Sequence, residues 1–136
     1  MLSLKNHGIP FDEDRDYLGV RFSYHDGYAA THKLLSEGRK FTALFAAADV
    51  MAVGAIRALH DHGLRVPEDI SVAGFDGLPL GTFLVPQLTT VAQSVREMAK
   101  RSVEILLSCI ENGTAAHCET VPFTIWQRES TRRVGE

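Results

Sequence analysis

The stretch from residue 63 to residue 77, GLRVPEDISVAGFDG, constrains the fold more than any other part of the chain. Gly63 is typical of a helix end, because glycine adopts the left-handed conformation without the clash that a Cβ causes, and Pro67 prevents the helix from resuming. The run from Ile70 to Phe75 is short, apolar and rich in β-branched residues, which predicts a strand covered on both faces. Asp76 then stands where a parallel strand gives way to a loop, the edge at which open α/β sheets bind ligands.

Strand-like and helix-like segments alternate along the rest of the chain. Short apolar runs predict strands, and apolar residues at helical spacing predict the helices between them. This alternation indicates an α/β fold with a parallel sheet covered by helices. The predicted strands are 17–22, 42–48, 70–75, 88–92 and 120–127, and the predicted helices are 24–37, 50–62 and 94–111.

Length and composition exclude several classes of protein. The 136 residues suffice for one domain with a real core, and 45% hydrophobic with 23% charged residues is ordinary for a globular protein. A net charge of −3 gives no basic surface for nucleic acid. No apolar run is long enough to span a bilayer, and residues 1–10 lack the apolar core of a signal peptide. Cys109 and Cys118 are too few for a disulfide framework and favour free thiols in a reduced cytoplasm.

Several short motifs give the chain a likeness to a known family. They are VPEDISVAGFD at 66–76, ADVMAVGA at 48–55, LTTVAQ at 88–93, Gly27-Tyr28, and REST at 128–131. In this order they closely resemble the effector-binding domain of LacI/GalR transcriptional regulators, over about residues 9–131. The resemblance implies a periplasmic-binding-protein-like fold of type I with a doubly wound parallel sheet. Periplasmic sugar-binding proteins share that fold but match these motifs less closely.

The same resemblance implies that the chain is incomplete relative to that fold. The family's ligand-binding part is longer and follows a helix-turn-helix headpiece, and neither the headpiece nor the first subdomain has a counterpart here. We therefore expect residues 1–92 to form the second subdomain without its first strand. Residues 93–120 are expected to supply a crossover helix and linker belonging to the other subdomain, and residues 121–136 a returning strand and tail.

Three side chains follow predicted strands and are candidates for binding an effector. Phe22, Asp49 and Asp76 share one rim if the strands are parallel. An aromatic face beside carboxylates suits the apolar rings and the hydroxyl groups of a sugar or nucleoside. The resemblance assigns Phe22 to an aromatic residue that packs on the effector and Asp76 to the acidic residue that accepts its hydrogen bonds. Each has a structural alternative, because Phe22 also suits a core position, Asp49 a helix N-cap, and Asp76 a cap of the next segment.

Two departures from the family pattern bear on the choice of ligand. Ala48 stands where an amide commonly contacts the ligand, so the usual mode of sugar binding lacks one donor and one acceptor here. The family's effector-binding arginine has no counterpart in the chain. The usual binding mode is therefore not expected unchanged.

No other set of residues predicts a catalytic, metal or cofactor site. His60 and His62 diverge on a helix, and His25 and His32 lie two turns apart, so neither pair is spaced to share a metal. No nucleophile elbow, phosphate loop or Cys-x-x-Cys motif is present. The acidic run at residues 12–16 is interpreted as a solvated loop. We expect no metal and no cofactor.

Two apolar surfaces predict association with a second copy of the chain. The helix at 50–62 is apolar almost all round its first turns, which is more than one sheet covers. Residues 78–85 form a second apolar segment, and in the family the matching helix and segment build the dimer interface. The predicted two-fold contact comprises Val53, Ile56, Leu80, Phe83 and Leu84.

The sequence thus predicts the effector-binding and dimerisation part of a LacI/GalR-type regulator in the cytoplasm. The expected effector is a sugar or a nucleobase-like molecule, DNA is contacted only through a headpiece, and no membrane partner is expected. Two alternatives stay open: a sugar-binding protein of a transporter, and a small α/β enzyme with Asp49 or Asp76 as a base. No nucleophile, metal set or cofactor loop supports the enzyme, so no catalytic residue is predicted.

Overall fold

A computed structural model describes residues 6–8 and 21–133. The elements in chain order are α1 (Tyr24–Ser36), β1 (Ala43–Phe45), α2 (Asp49–Asp61), β2 (Ser71–Asp76), a 3₁₀ turn (Pro79–Thr82), β3 (Thr89–Gln93), α3 (Val95–Asn112) and β4 (Phe123–Trp126). The alternation predicted from the sequence is confirmed from α1 onward. Most of the predicted strand 17–22, and the acidic run at 12–16, lie outside the described residues, and Arg21 and Phe22 are not in a strand.

The four strands form one sheet in the order β1-β2-β3-β4. β1, β2 and β3 are parallel, with Phe45 opposite Ala73 and Asp76 opposite Ala92. β4 returns antiparallel to β3. The predicted α/β class with a mostly parallel sheet is therefore confirmed. The carboxyl ends of β1, β2 and β3 lie along one edge, which is where the candidate site has to be sought.

Helix α2 lies between the sheet and α1 and supplies the centre of the core. The buried cluster consists of Ala46, Ala52, Leu59, Ile70, Val72 and Leu88. Leu59 and Leu88 are fully buried, and each such side chain contributes about 1.5–3 kcal/mol relative to an exposed one. The buried side chains of α2 that lie on the sheet are small, so the helix approaches β2 closely.

Two glycines let α1 and α2 pack backbone against backbone. A Cβ on Gly27 would collide with the backbone of Met51, and one on Gly54 would collide with the carbonyl of Tyr24. The sequence indicated that α2 needs a second partner besides the sheet, and α1 is that partner along the Gly54 side. Val53 and Ile56 remain half-buried.

Helix α3 has no buried residue in the described chain. Its apolar stripe faces outward, with Val103 55% and Ile110 70% exposed. Arg101 attaches the helix to the following linker, since its Nη2 lies 2.7 Å from Glu119 Oε1. Gly113 ends the helix in the left-handed conformation, as expected for an Asn-Gly pair. That α3 packs on another subdomain stays a prediction.

The chain after β4 is attached to the sheet rather than frayed. Ser130 is fully buried, and its Oγ donates to Val72 O while accepting from Thr89 N. Arg132 Nη2 donates to Glu68 O at 2.7 Å, and Thr131 Oγ1 lies 3.0 Å from Thr89 Oγ1. These contacts fix Thr131 and Arg132, which belong to the expected C-terminal strand and tail, against the sheet and the loop before it.

Candidate functional site

Asp76 lies at the carboxyl end of β2 in a conformation unusual for a residue with a side chain. Its φ is 120°, and Gly77 after it has a φ of 77°. Gln93 at the end of β3 donates from Nε2 to Asp76 Oδ1 at 2.9 Å. No donor to Oδ2 is found among residues 6–8 and 21–133. The half-buried carboxylate is thus oriented through one oxygen, and its second oxygen can accept a further hydrogen bond.

Asp49 is buried within the same edge and does not face solvent. It is 0% exposed, and it is the first residue of α2, so Ala48 is the N-cap residue and makes no side-chain cap. Its Oδ2 accepts from the backbone N–H of Leu78 at 2.6 Å, and its Oδ1 accepts from Thr90 Oγ1 at 2.6 Å.

These contacts correct both expectations for Asp49. It is not an N-cap, because its carboxylate accepts hydrogen bonds from distant parts of the chain instead of from the first turn of its own helix. It does not offer an oxygen to an effector, because the residue is fully buried and both oxygens accept hydrogen bonds inside the protein. Asp49 instead fixes the relative positions of α2, the turn after β2, and β3.

Gly74 makes room for this carboxylate in the middle of β2. A Cβ at residue 74 would collide with Asp49 Oδ1 and would lie 3.1 Å from Leu88 Cδ2. A glycine inside a strand often marks the close approach of another group, and here that group is a side chain of the protein itself.

Phe22 is 70% exposed and lies directly before Ser23, which is the N-cap of α1. Ser23 Oγ accepts from Asp26 N at 3.0 Å and thereby caps the helix. The start of α1 packs beside the first half of α2, since the carbonyl of Tyr24 lies against Gly54. Phe22 is therefore not part of the core of the described chain.

Sequence reasoning missed the two β3 residues that organise this edge. Thr90 is 1% exposed and bonds to Asp49, and Gln93 bonds to Asp76. The signal was present, because both lie in the LTTVAQ motif on which the resemblance rests. Their chemistry could not be assigned without knowing which carboxylates the parallel register brings opposite them.

A comparison with protein families decides the identity. The family described as "Periplasmic binding protein-like domain" matches residues 3–131. The chain belongs to this family. Its similarity in sequence and structure to LacI-type regulators confirms the resemblance drawn from the motifs.

The relatives of this periplasmic binding protein-like chain are transcription regulators. It is 45% identical over 110 residues to the HTH-type transcriptional regulator MalR of Clostridium butyricum, covering 79% of this chain and 32% of that protein. The structure of the transcriptional regulator CelR in complex with cellobiose matches with a TM-score of 0.85 at 32% identity, covering 95% of this chain and 39% of that one. The lac repressor dimer bound to operator and the anti-inducer ONPF matches with a TM-score of 0.81 at 31% identity, covering 94% and 44%. The chain therefore spans less than half the length of these relatives.

The residues predicted for dimerisation of this periplasmic binding protein-like chain differ in exposure. Phe83 is 82% exposed just beyond the 3₁₀ turn. Val85, which is not among the predicted contact residues, follows in the same segment and is 95% exposed. Leu80, Leu84, Val53 and Ile56 are half-buried, and Leu84 and Ile56 also pack against the core of this chain. Phe83 is thus the predicted interface residue with the most side chain available to a partner.

Two open grooves of the described residues are lined by side chains other than Asp76. One of about 510 Å³ lies at the opposite edge of the sheet, where Phe41, Thr42 and Ile70 precede their strands. The other, of about 540 Å³, lies beside α3 and is lined by residues that include Phe75, Met98 and Phe123. Phe22 lines neither groove, but the second groove is also lined by Gln93, which bonds to Asp76, so that groove adjoins the carboxyl ends of β2 and β3.

In the part of the chain that the structure describes, no helix has the length and apolar character needed to cross a bilayer. No three or more histidine, cysteine, aspartate and glutamate side chains come together as a metal site within those same residues.

Proposed function

We propose that this chain is the effector-binding and dimerisation part of a LacI-type transcriptional regulator that responds to a sugar-like molecule. The observation that carries the proposal is the carboxylate of Asp76, which Gln93 orients at the ligand-binding edge of the sheet. The relatives are regulators, which favours this function over a transporter's binding protein and over an enzyme. Such a regulator works in the cytoplasm.

Asp76 and Phe22 supply the two kinds of contact that a sugar needs. With Oδ1 of Asp76 bonded to Gln93, Oδ2 accepts from a ligand hydroxyl, and a charged acceptor makes such a bond stronger than a neutral one. The exposed ring of Phe22 offers an apolar face on which the carbon-bound hydrogens of a sugar ring pack. Cellobiose in the related CelR structure supports a carbohydrate as the effector class.

Ala48 narrows the range of ligands. It is 4% exposed and offers only a methyl group, so the position before Asp49 contributes no polar side-chain atom. Recognition on this wall therefore rests on accepting hydroxyl hydrogens at Asp76. A ligand held here needs adjacent hydroxyl donors more than it needs acceptors.

Coupling between effector binding and DNA affinity requires that the elements around Asp76 move as one rigid body. Asp49 joins α2, the turn at Leu78 and β3 by two short hydrogen bonds, so these elements move together. A ligand that bridges Asp76 and a facing subdomain closes the cleft, and this closure changes the affinity for DNA at a headpiece. In this mechanism Asp49 keeps the wall in shape and Asp76 contacts the ligand.

The second part of the proposal is a two-fold homodimer through the 3₁₀ turn and α2. Phe83 and Val85 form an exposed apolar surface, and such surfaces usually mark contact sites. The related lac repressor is a dimer on its operator, which supports the same arrangement for this chain.

The test of effector binding uses saturation-transfer difference NMR on the full chain with ribose, glucose, cellobiose and adenine. This method detects weak binding, which suits a site with one wall. We expect signals from a sugar, their loss in Asp76→Asn, and their retention in the control Asp69→Asn, whose carboxylate lies at the opposite edge of the sheet. Absence of signal for every compound, or equal signals in wild type and Asp76→Asn, contradicts the proposal.

A further inference from the structure

The packing of α1 on α2 brings two histidines together from positions 30 residues apart. His62 Nε2 lies 2.9 Å from His32 Nδ1, with ring centroids 4.9 Å apart and ring planes at 57°. Both side chains are exposed. The pairs considered in the sequence, on single helices, did not include this one, because it depends on how the two helices cross.

A stacked tyrosine supports the His32 ring, and the helix packing fixes the positions of both histidines. Tyr28 stacks on His32, with centroids 5.9 Å apart and planes at 7°. The hydroxyl of Tyr28 donates to Asp61 Oδ2 at 3.2 Å, and Arg57 Nε donates to Asp61 Oδ1 at 2.9 Å. The helices themselves cannot separate easily, because Gly27 and Gly54 bring their backbones into contact. The helix packing thus fixes where the two histidines meet, and their facing nitrogens lie within hydrogen-bond distance.

We propose that His32 Nδ1 and His62 Nε2 form a two-nitrogen binding site for a divalent transition-metal ion, with Cu²⁺ preferred and Ni²⁺ next. Imidazole nitrogens bind such ions at about 2.0–2.1 Å. Two of them at right angles around one ion are then about 2.9 Å apart, which is the separation observed here and suits the square-planar or tetragonal geometry of Cu²⁺ and Ni²⁺. A tetrahedral ion such as Zn²⁺ needs a wider separation and is disfavoured.

The proton balance of binding is simple. In the metal-free pair one ring nitrogen carries the hydrogen and the other accepts it. When the metal binds, that hydrogen moves to the outer nitrogen of its own ring, so both facing lone pairs become ligands and both imidazoles stay neutral. Small rotations of the exposed side chains turn the lone pairs toward one ion, and water completes the coordination.

The test is a titration of Cu²⁺ into the full chain carrying Cys109→Ser and Cys118→Ser, which removes competing thiols. Affinity is measured by calorimetry at neutral pH, and the number of bound nitrogens is read from the electron paramagnetic resonance spectrum. His32→Gln and His62→Gln are compared with His25→Gln on α1 and His60→Gln on α2, and circular dichroism checks that each variant is folded. The titration is repeated with Ni²⁺ to test whether Cu²⁺ binds with the higher affinity, as expected.

We expect two nitrogen ligands in the parent chain and a loss of affinity of roughly tenfold or more in either His32→Gln or His62→Gln, since loss of even a supporting group at a metal site costs about 10–100-fold. The two control variants are expected to bind like the parent. Equal loss in all four variants means scattered binding by surface histidines and overturns the proposal. A spectrum with one nitrogen ligand, obtained on the parent chain alone, overturns it without reference to any variant.

Discussion

The carboxylate of Asp49 lies against the α-carbon of Gly74 so closely that no side chain fits between them. This contact joins the first residue of α2 to the middle of β2. It explains why a glycine interrupts a strand whose other residues are larger, and why the acid at residue 49 can be completely buried. The edge of the sheet that carries Asp76 is built on this contact.

Gly74→Ala is expected to destabilise the chain by roughly 1–3 kcal/mol or more, as overpacking of a well-packed interior does. The new methyl group collides with Asp49 Oδ1 and forces α2 away from β2. Urea unfolding measures the loss. In an Asp49→Ala background the same substitution should cost clearly less, because the colliding oxygen is gone. An unchanged cost in that background would mean that the collision is with Leu88 instead.

Thr90→Val is expected to lower the free energy of unfolding by about 2–3 kcal/mol. It removes the hydroxyl that donates to a fully buried carboxylate oxygen and leaves that oxygen without a donor. Thr82→Val is the matched control, since its hydroxyl bonds to Pro79 O at the surface, and it should change stability by about 0.5 kcal/mol or less. Similar losses in the two variants would argue that Thr90 acts through its shape alone.

Phe83→Glu is expected to convert a dimer into a monomer in sedimentation velocity at equal concentration. Burial of a phenylalanine is worth about 1.5–3 kcal/mol and counts twice at a two-fold contact. Phe83 is a better probe than Leu84, because Leu84 also packs on the core of its own chain. Val103→Glu on α3 is the control and should leave the dimer intact. If Val103→Glu dissociates it and Phe83→Glu does not, the stripe on α3 forms the contact.

Acid is expected to weaken a loop that Asp69 closes. Hydrogen bonds from the Arg65 side chain, and then from its backbone N–H, hold the pKa of Asp69 below its ordinary value of 3.8. Because the folded pKa is the lower one, this carboxylate stabilises the fold above pH 3.8, and the contribution disappears as the pH falls through the folded pKa. The stability difference between wild type and Asp69→Asn, from urea unfolding at several pH values, should therefore shrink in acid. Arg65→Met should behave alike, and a constant difference at every pH would contradict the assignment.

The sequence predicted the elements well because their apolar periodicity is local. The strand predicted at 70–75 is observed at Ser71–Asp76, and the helix predicted at 94–111 is observed at Val95–Asn112. The role of Asp49 was not predictable in the same way. The preference of aspartate for the first position of a helix predicts that Asp49 caps α2. The groups that donate hydrogen bonds to its carboxylate instead come from residues 29 and 41 positions away. Contacts of that range, like the meeting of His32 and His62, follow from register and helix crossing rather than from local pattern.

The backbone at Asp76 has a further consequence. Glycine adopts a φ of 120° readily, whereas a residue with a side chain is strained there. Such strain costs about 1–3 kcal/mol. Asp76→Gly should therefore raise the melting temperature while removing the effector contact, and Asp76→Asn should remove the contact without that gain. Under the proposed function, stability and recognition are in conflict at this one residue, and a chain optimised for folding alone would have glycine here.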